Sequence, residues 1–397
     1  MRIPPQQRRL ADGRLHLHDG PIDLIIEALG ETHAVEAAYA AAQRRFVTIL
    51  DELCGELPLL RADLSGGGPA PQGPVARRMA AAVAPFRARR FVTPMAAVAG
   101  AVAEEILEAM TSGRRLARAY VNDGGDIALY LGPDETFSIG MVDRPDRPNL
   151  FGRATIGAAD GVRGVATSGW RGRSFSLGVA DAVTVLADSA TLADAAATLI
   201  ANAVDIPGHP AIERAPARDI DPQSDLGERR VTVALGSLRH GEIDRALAAG
   251  AAEAELWQGL GLIEAAALRL GDRTRLVGVT GRSYKIAAER GDQRSCHVEA
   301  QRLQVVGEAN DLLDVSSGKG VLYYGEDCCA AIGRFRDGAA FVEDFLDQGD
   351  ALSKLNRRHG APSLRCSAKP PQGRTCASGR RRRQDASYRR GAARPLR

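Results

Sequence analysis

The chain has 397 residues, 45% of them apolar and 25% charged, with a net charge of +3. That balance describes a globular protein with room for one large domain or two smaller ones. No apolar stretch approaches the ~20 residues of a bilayer span, and Arg8-Arg9 lead into Leu-Ala-Asp-Gly, not into the apolar core of a leader, so a soluble cytoplasmic protein is expected.

At the N-terminal end, 14–18 reads as a strand, Asp19-Gly20 as a turn pair and 22–29 as a second strand. Thr32 is placed to cap a helix whose apolar residues Val35, Ala38, Tyr39, Ala42, Phe46, Ile49 and Leu50 follow helical spacing. Cys54 falls on this helix and is expected to be buried and inert. Residues 65–71 form a Gly- and Pro-rich loop, 75–86 a second helix, and Pro94 opens a largely buried helix over 95–110. Short strands are expected at 119–121, 127–131, 136–142, 154–156, 164–167 and 182–186, followed by a helix over 191–204. A Pro-rich connector (207–222) leads to a strand at 231–235, helices at 243–251 and 253–268, and a closing strand at 275–279. The whole reads as an α+β fold.

Three constellations carry candidate chemistry. In Asn122-Asp123-Gly124-Gly125-Asp126 the glycine pair permits positive φ and lets backbone N–H groups approach a ligand, with Asn122 and Asp126 as flanking polar groups; a plain hairpin turn has the same composition. In Thr167-Ser168-Gly169-Trp170-Arg171-Gly172-Arg173 two hydroxyls and two guanidinium groups suit a phosphate, or form an ordinary surface turn. Asp194 and Thr198, four residues apart on one helical face, are hard oxygen donors suited to Mg²⁺, or a first-turn aspartate with a threonine as filler. His16 and His18 share one side of a strand without a third ligand nearby in sequence, and His240 sits where it can cap a helix. There is no P-loop, no GxSxG and no GxGxxG after a strand.

Taken in order, the three constellations resemble the ApbE-like superfamily of flavin transferases. The resemblance is clearest over 93–204 and extends across 10–280. Thr93-Pro94-Met95-Ala96-Ala97-Val98-Ala99-Gly100 and Ser176-Leu177-Gly178-Val179-Ala180-Asp181 look most like an uncharacterised branch of it. The resemblance implies an ApbE-like fold in which Asn122, Gly124, Gly125, Asp126, Thr167, Ser168, Gly169 and Arg171 hold a flavin nucleotide, FAD or FMN, and Asp194 and Thr198 hold Mg²⁺. It implies transfer of FMN to an acceptor protein, or cleavage of the FAD pyrophosphate, with a threonine hydroxyl or water attacking; a non-catalytic accessory protein of the same fold is the alternative. Monomer and dimer are both open. The chain departs from the transferase pattern in two places. Ala99 stands where the family's glycine-rich segment has lysine, and Phe175 stands where a histidine follows the TSG motif.

The composition changes beyond residue 280. The first 284 residues contain no lysine and only Cys54, whereas all four lysines and five cysteines lie in the last 113, without zinc or redox spacing. The expected division is a domain over 1–280, an ill-defined extension over 281–350, and a disordered basic tail over 351–397 with 14 Lys+Arg against the single acidic Asp385. The tail fits contact with nucleic-acid or membrane phosphate, a functionless extension, or a change of reading frame after about residue 280. The remainder is mildly acidic, so nucleic-acid binding is not expected of the folded domain.

Overall fold

Leu15, Leu17, Ile22, Leu24 and Ile26 are buried while their neighbours in sequence are not, the alternation of strands with one covered face. In the computed structural model these residues form β2 (Leu15–Asp19) and β3 (Ile22–Gly30), preceded by a short β1 (Gln6–Arg9). The structure describes residues 4–64, 69–144 and 149–278, with the backbone of Lys285–Ala288 and Val321–Leu322. Contacts separate a unit Met1–Phe335 from a unit Arg336–Arg397. The second unit, and with it the basic tail, lies outside the described residues, as do most of 281–350 and the glycines of the 65–71 loop.

The main sheet continues with β4 (Leu116–Asp123) and β5 (Asp126–Leu131), then β8 (Gly164–Ser168), β9 (Ala182–Ala187), β12 (Ala265–Leu270) and β13 (Arg273–Val277). Its nine strands run β1-β2-β3-β4-β5-β8-β9-β12-β13, all antiparallel. Helices α1 (Thr32–Gly55), α3 (Pro74–Val83) and α4 (Val98–Thr111) cover one half of one face; α5 (Ala190–Ala203) and α7 (His240–Gly259) cover the other half. Two single-turn helices, α2 (Leu57–Leu60) and α6 (Ala217–Ile220), lie in connections. The opposite face packs Tyr120, Leu129 and Val165 against Phe137, Ile139, Phe151 and Ile156. These come from β6 (Thr136–Val142) and β7 (Leu150–Gly157), which join β14 (Lys285–Ala288) and β15 (Val321–Leu322) in a four-stranded sheet. Strands β10 (Ile212–Pro216) and β11 (Arg230–Leu235) make a separate ribbon. The α+β expectation holds.

Helices α4 and α5 are joined by reciprocal caps. Asp194 Oδ2 on α5 accepts from Gly100 N in the first turn of α4 at 3.0 Å. Glu104 on α4 accepts from Thr191 N at 3.1 Å and Thr191 Oγ1 at 2.7 Å in the first turn of α5. Each carboxylate answers N–H groups that the other helix cannot satisfy internally.

Several expectations are corrected. The helices expected at 243–251 and 253–268 are a single α7 ending at Gly259, and Ala265–Leu270 is the strand β12 between β9 and β13. Both faces of β12 are covered, so its apolar run lacks the alternation that marks a half-buried strand. The Pro-rich connector contains β10 and α6. Thr32 is the first residue of α1, not its cap; Glu31 precedes it without a side-chain capping bond. Cys54 is exposed, on the solvent side of the last turn of α1. Cys54→Ser is therefore expected to change stability by no more than about 0.5 kcal/mol; a loss of several degrees in a thermal melt would show that the thiol is packed. Among the described residues, no helix is long and apolar enough to cross a membrane.

Candidate functional site

Strands β4 and β5 meet in a two-residue hairpin in which Asp123 and Asp126 pair and Gly124 and Gly125 take φ of 63° and 114°. Positive φ at both central positions is the geometry that matches the strand twist, and glycine adopts it without a Cβ penalty. Asn122 Oδ1 accepts from Gly125 N at 2.8 Å and is thus committed to closing the turn. Asp126 Oδ1 accepts from Thr167 N at 3.3 Å, which ties the turn to the end of β8. The Thr167 hydroxyl lies 2.9 Å from that of Thr184 on β9. Ser168 is half-buried at the last position of β8, and Gly169 passes so close to Asp181 that a side chain would meet backbone.

Period-two alternation turns Asp123 and Asp126 to the helix-covered face, towards Asp194. Asp123 and Asp194 are nearly inaccessible, at 3% and 8% exposure. Burial pushes the Asp123 carboxyl up to about 7, against the pull of the Arg173 guanidinium and the Asp23 N–H. Burial likewise pushes Asp194 up to about 7; the N–H groups of Gly100 and Ala99 oppose this, and the charge of Asp123 adds to it. Asp126 is held well above the usual carboxylate range, first by burial and then by the charges of Asp194 and Asp123. Three carboxyl groups from two strands and a helix thus share one electrostatic environment, and Thr198, half-buried, lies one turn further along α5.

The two arginines that follow β8 part company. Arg171 stacks on Trp170, its guanidinium carbon 4.1 Å from the ring centroid, with Nε 3.5 Å from Asp181 Oδ1. Arg173 lies over Gly124 and faces Asp123, Nη2 to Oδ1 3.6 Å. The structure therefore brings Gly124, Asp126, Thr167 and Asp194 to one place, and it commits Arg171 to Asp181. Asp123, absent from the expected site, lies beside Asp126 and Asp194; its alternation with Ala119 and Val121 is the signal for that placement. Asp23 lies between the two histidines: His16 Nε2 is 2.5 Å and His18 Nδ1 3.5 Å from its Oδ1. His240 is the exposed first residue of α7, 3.6 Å from Asp272.

Among the described residues, no group of three His, Cys, Asp or Glu side chains is placed to hold a metal by itself. A carboxylate at Asp194 and a hydroxyl at Thr198 are donor types that Mg²⁺ takes, since it keeps several waters and commonly binds one or two carboxylates together with ligand phosphate. The raised proton affinity of the three carboxyls comes first from burial, with repulsion from neighbouring carboxylates adding to it. Two open grooves of about 300 and 390 Å³ flank α4, the first lined in part by Arg78, Glu104, Tyr130 and Ser189; neither is lined by Asp123, Asp126 or Asp194.

The chain belongs to the family described as AbpE bacteria, whose model matches residues 7–276. It is 44% identical to a UPF0280 protein of Methanopyrus kandleri over 129 residues, 32% of this chain and 48% of that protein. It is 39% identical to a UPF0280 protein of Methanothrix thermoacetophila over 132 residues, 33% of this chain and 52% of that one. The chain thus spans about half the length of the curated relatives it matches. Among solved structures, an ApbE protein from Thermotoga maritima is similar at 14% identity and a TM-score of 0.30, over 51% of this chain and 88% of that one. The apo flavinyl transferase ApbE of Pseudomonas stutzeri is similar at 12% and 0.29, over 69% and 95%. Likenesses this low carry no argument of their own; membership rests on the family match, in agreement with the resemblance seen in the motifs.

Proposed function

We propose that the protein binds a flavin nucleotide, FAD or FMN, together with Mg²⁺ at the 122–126 turn, the 167–169 strand end and the first turns of α5. The observation that carries this reading is the convergence of distant segments, Asp126 bonded to Thr167 across 41 residues and sharing its electrostatic environment with Asp194. Asp194 and Thr198 would hold the cation, which would offset the charge of the ligand's phosphates. The Gly124-Gly125 turn and the end of β8 would orient the nucleotide beside it. FMN transfer to an acceptor protein, or cleavage of the FAD pyrophosphate, is the chemistry that the family suggests.

Calorimetric titration with FAD and FMN, with and without Mg²⁺, tests the binding. Saturable binding that strengthens with Mg²⁺ is expected, and no heat under either condition would defeat the proposal. A second reading, a non-catalytic binding protein of the same fold, is favoured by Ala99 and Phe175, which supply neither the cation nor the imidazole of the transferase pattern. Incubation with FAD, Mg²⁺ and candidate acceptor proteins separates the two. Covalent, fluorescent flavin on an acceptor supports transfer; tight binding without it supports the accessory role.

A further inference from the structure

Arg173 stands on the loop after β8, yet its guanidinium lies over the β4–β5 turn. A Cβ at Gly124 would run into it, 2.8 Å from Cζ, so the guanidinium occupies the space that the glycine leaves open. Nη1 donates to the carbonyl of Pro21, at the β2–β3 turn, at 3.3 Å. Nη2 is 3.6 Å from Asp123 Oδ1. The side chain thus bridges two hairpin turns and brings a positive charge to two of the buried carboxylates, favouring the ionised forms of both Asp123 and Asp126. Arg171 is engaged with Asp181 and Trp170 instead.

The bridge is loosely made. Both distances are at or beyond the long end of hydrogen bonding, and the Arg173 side chain is 42% exposed. Asp123 is buried, so only the arginine's side of the pair meets water, and at 3.6 Å no direct hydrogen bond locks the guanidinium onto it. A guanidinium also presents a planar fork of donors that matches two phosphate oxygens, which a carboxylate 3.6 Å away does not use.

We propose that Arg173 is an exchangeable counter-ion: it pairs with Asp123 and Asp126 when no divalent cation does, and turns to a phosphate of the ligand when a divalent cation takes over these carboxylates. The proposal rests on the flavin-phosphate reading for the identity of the ligand, but not for the exchange itself. It places a cation at the site from a position five residues beyond Ser168, where the transferase lysine is missing from 98–100. It also gives Gly124 a second role, because any side chain there would unseat the guanidinium.

The consequence is an opposition of signs. Removing Arg173 removes a competitor for the cation and a partner of the phosphate. In Arg173→Gln, Mn²⁺ binding without nucleotide, read by electron paramagnetic resonance, is expected to tighten about threefold or more. FMN and inorganic pyrophosphate, titrated at saturating Mg²⁺, are expected to bind at least about tenfold more weakly. Arg173→Lys keeps the charge and loses the fork, so Mn²⁺ binding should stay near wild type while phosphate binding weakens. Gly124→Ala keeps the arginine and displaces it, and should tighten Mn²⁺ binding as Arg173→Gln does. Arg173→Gln weakening both ligands, or changing neither, overturns the proposal, as does a wild-type protein that binds no Mn²⁺ or binds neither FMN nor pyrophosphate. Pyrophosphate binding that depends on Arg173, without any binding of FMN or FAD, supports the counter-ion and defeats the flavin reading alone.

Discussion

Gly100→Ala is expected to lower the melting temperature by roughly 10 °C, on the order of 3–5 kcal/mol, the largest loss among the substitutions considered. At this position α4 crosses α5 with no side chain between them. A Cβ would sit 2.6 Å from the carbonyl carbon of Ala190 and 2.8 Å from Thr191 N, with the Ala190 oxygen nearer still. All three are backbone atoms, so no rotamer change relieves the overlap and the helices must separate. Separation then strains the reciprocal caps, because Gly100 N and Thr191 N are the donors that Asp194 and Glu104 satisfy. Gly241→Ala provides the contrast. Gly241 lies in the first turn of α7 with nothing within 4 Å of its built Cβ, so alanine there should be neutral or stabilising by up to about 1 kcal/mol. Thermal melts that show Gly100→Ala as stable as Gly241→Ala would sink the close crossing.

The same crossing shows what could be read from the sequence and what could not. Pro94 and the alanine-rich run after it mark α4, and the Gly124-Gly125 pair marks the hairpin, because each is a local signal with a local cause. The family order of the three constellations ties them to one site before any contact is known. The partners within that site are not local. Gly100 and Asp194 are 94 residues apart, so nothing near Asp194 distinguishes a carboxylate that caps another helix from a metal ligand or a first-turn acid. Asp123 reads as a turn residue until its alternation with Ala119 and Val121 is extended by one step. The choice between Arg171 and Arg173 is made by Asp181 and Trp170 on one side and by the open face of Gly124 on the other. β12 was unreadable for a different reason: burial on both faces erases the alternation by which a strand is recognised.

Asp194→Asn and Asp194→Ala are expected to separate structure from cation binding. The carboxylate accepts the Gly100 N–H and lies among Asp123 and Asp126, so it supports α4 while adding repulsion to a buried cluster. Asparagine keeps an acceptor and removes the charge; alanine removes both and leaves N–H groups without a partner. In chelator at pH 8, Asp194→Asn should melt at or above wild type and Asp194→Ala below Asp194→Asn by ~1–3 kcal/mol, which is roughly 3–10 °C in a domain of this size. The pH dependence has a fixed sign. Asp123 and Asp194 release their protons near 7 in the fold, against 3.8 ordinarily. Between those values the folded chain holds more protons than the unfolded one, so stability falls as pH rises through about 4 to 7 and levels off above. Asp194→Asn should show a shallower fall. A bound divalent cation stabilises the ionised carboxylates and works against the loss; Mg²⁺ at a hundred times its dissociation constant would add about 2.7 kcal/mol to the wild type and little to either variant. Equal melting of the two variants in chelator would show that Asp194 does not support α4. A wild type whose melting point ignores both pH and Mg²⁺ would show that the three carboxyls do not form one electrostatic unit.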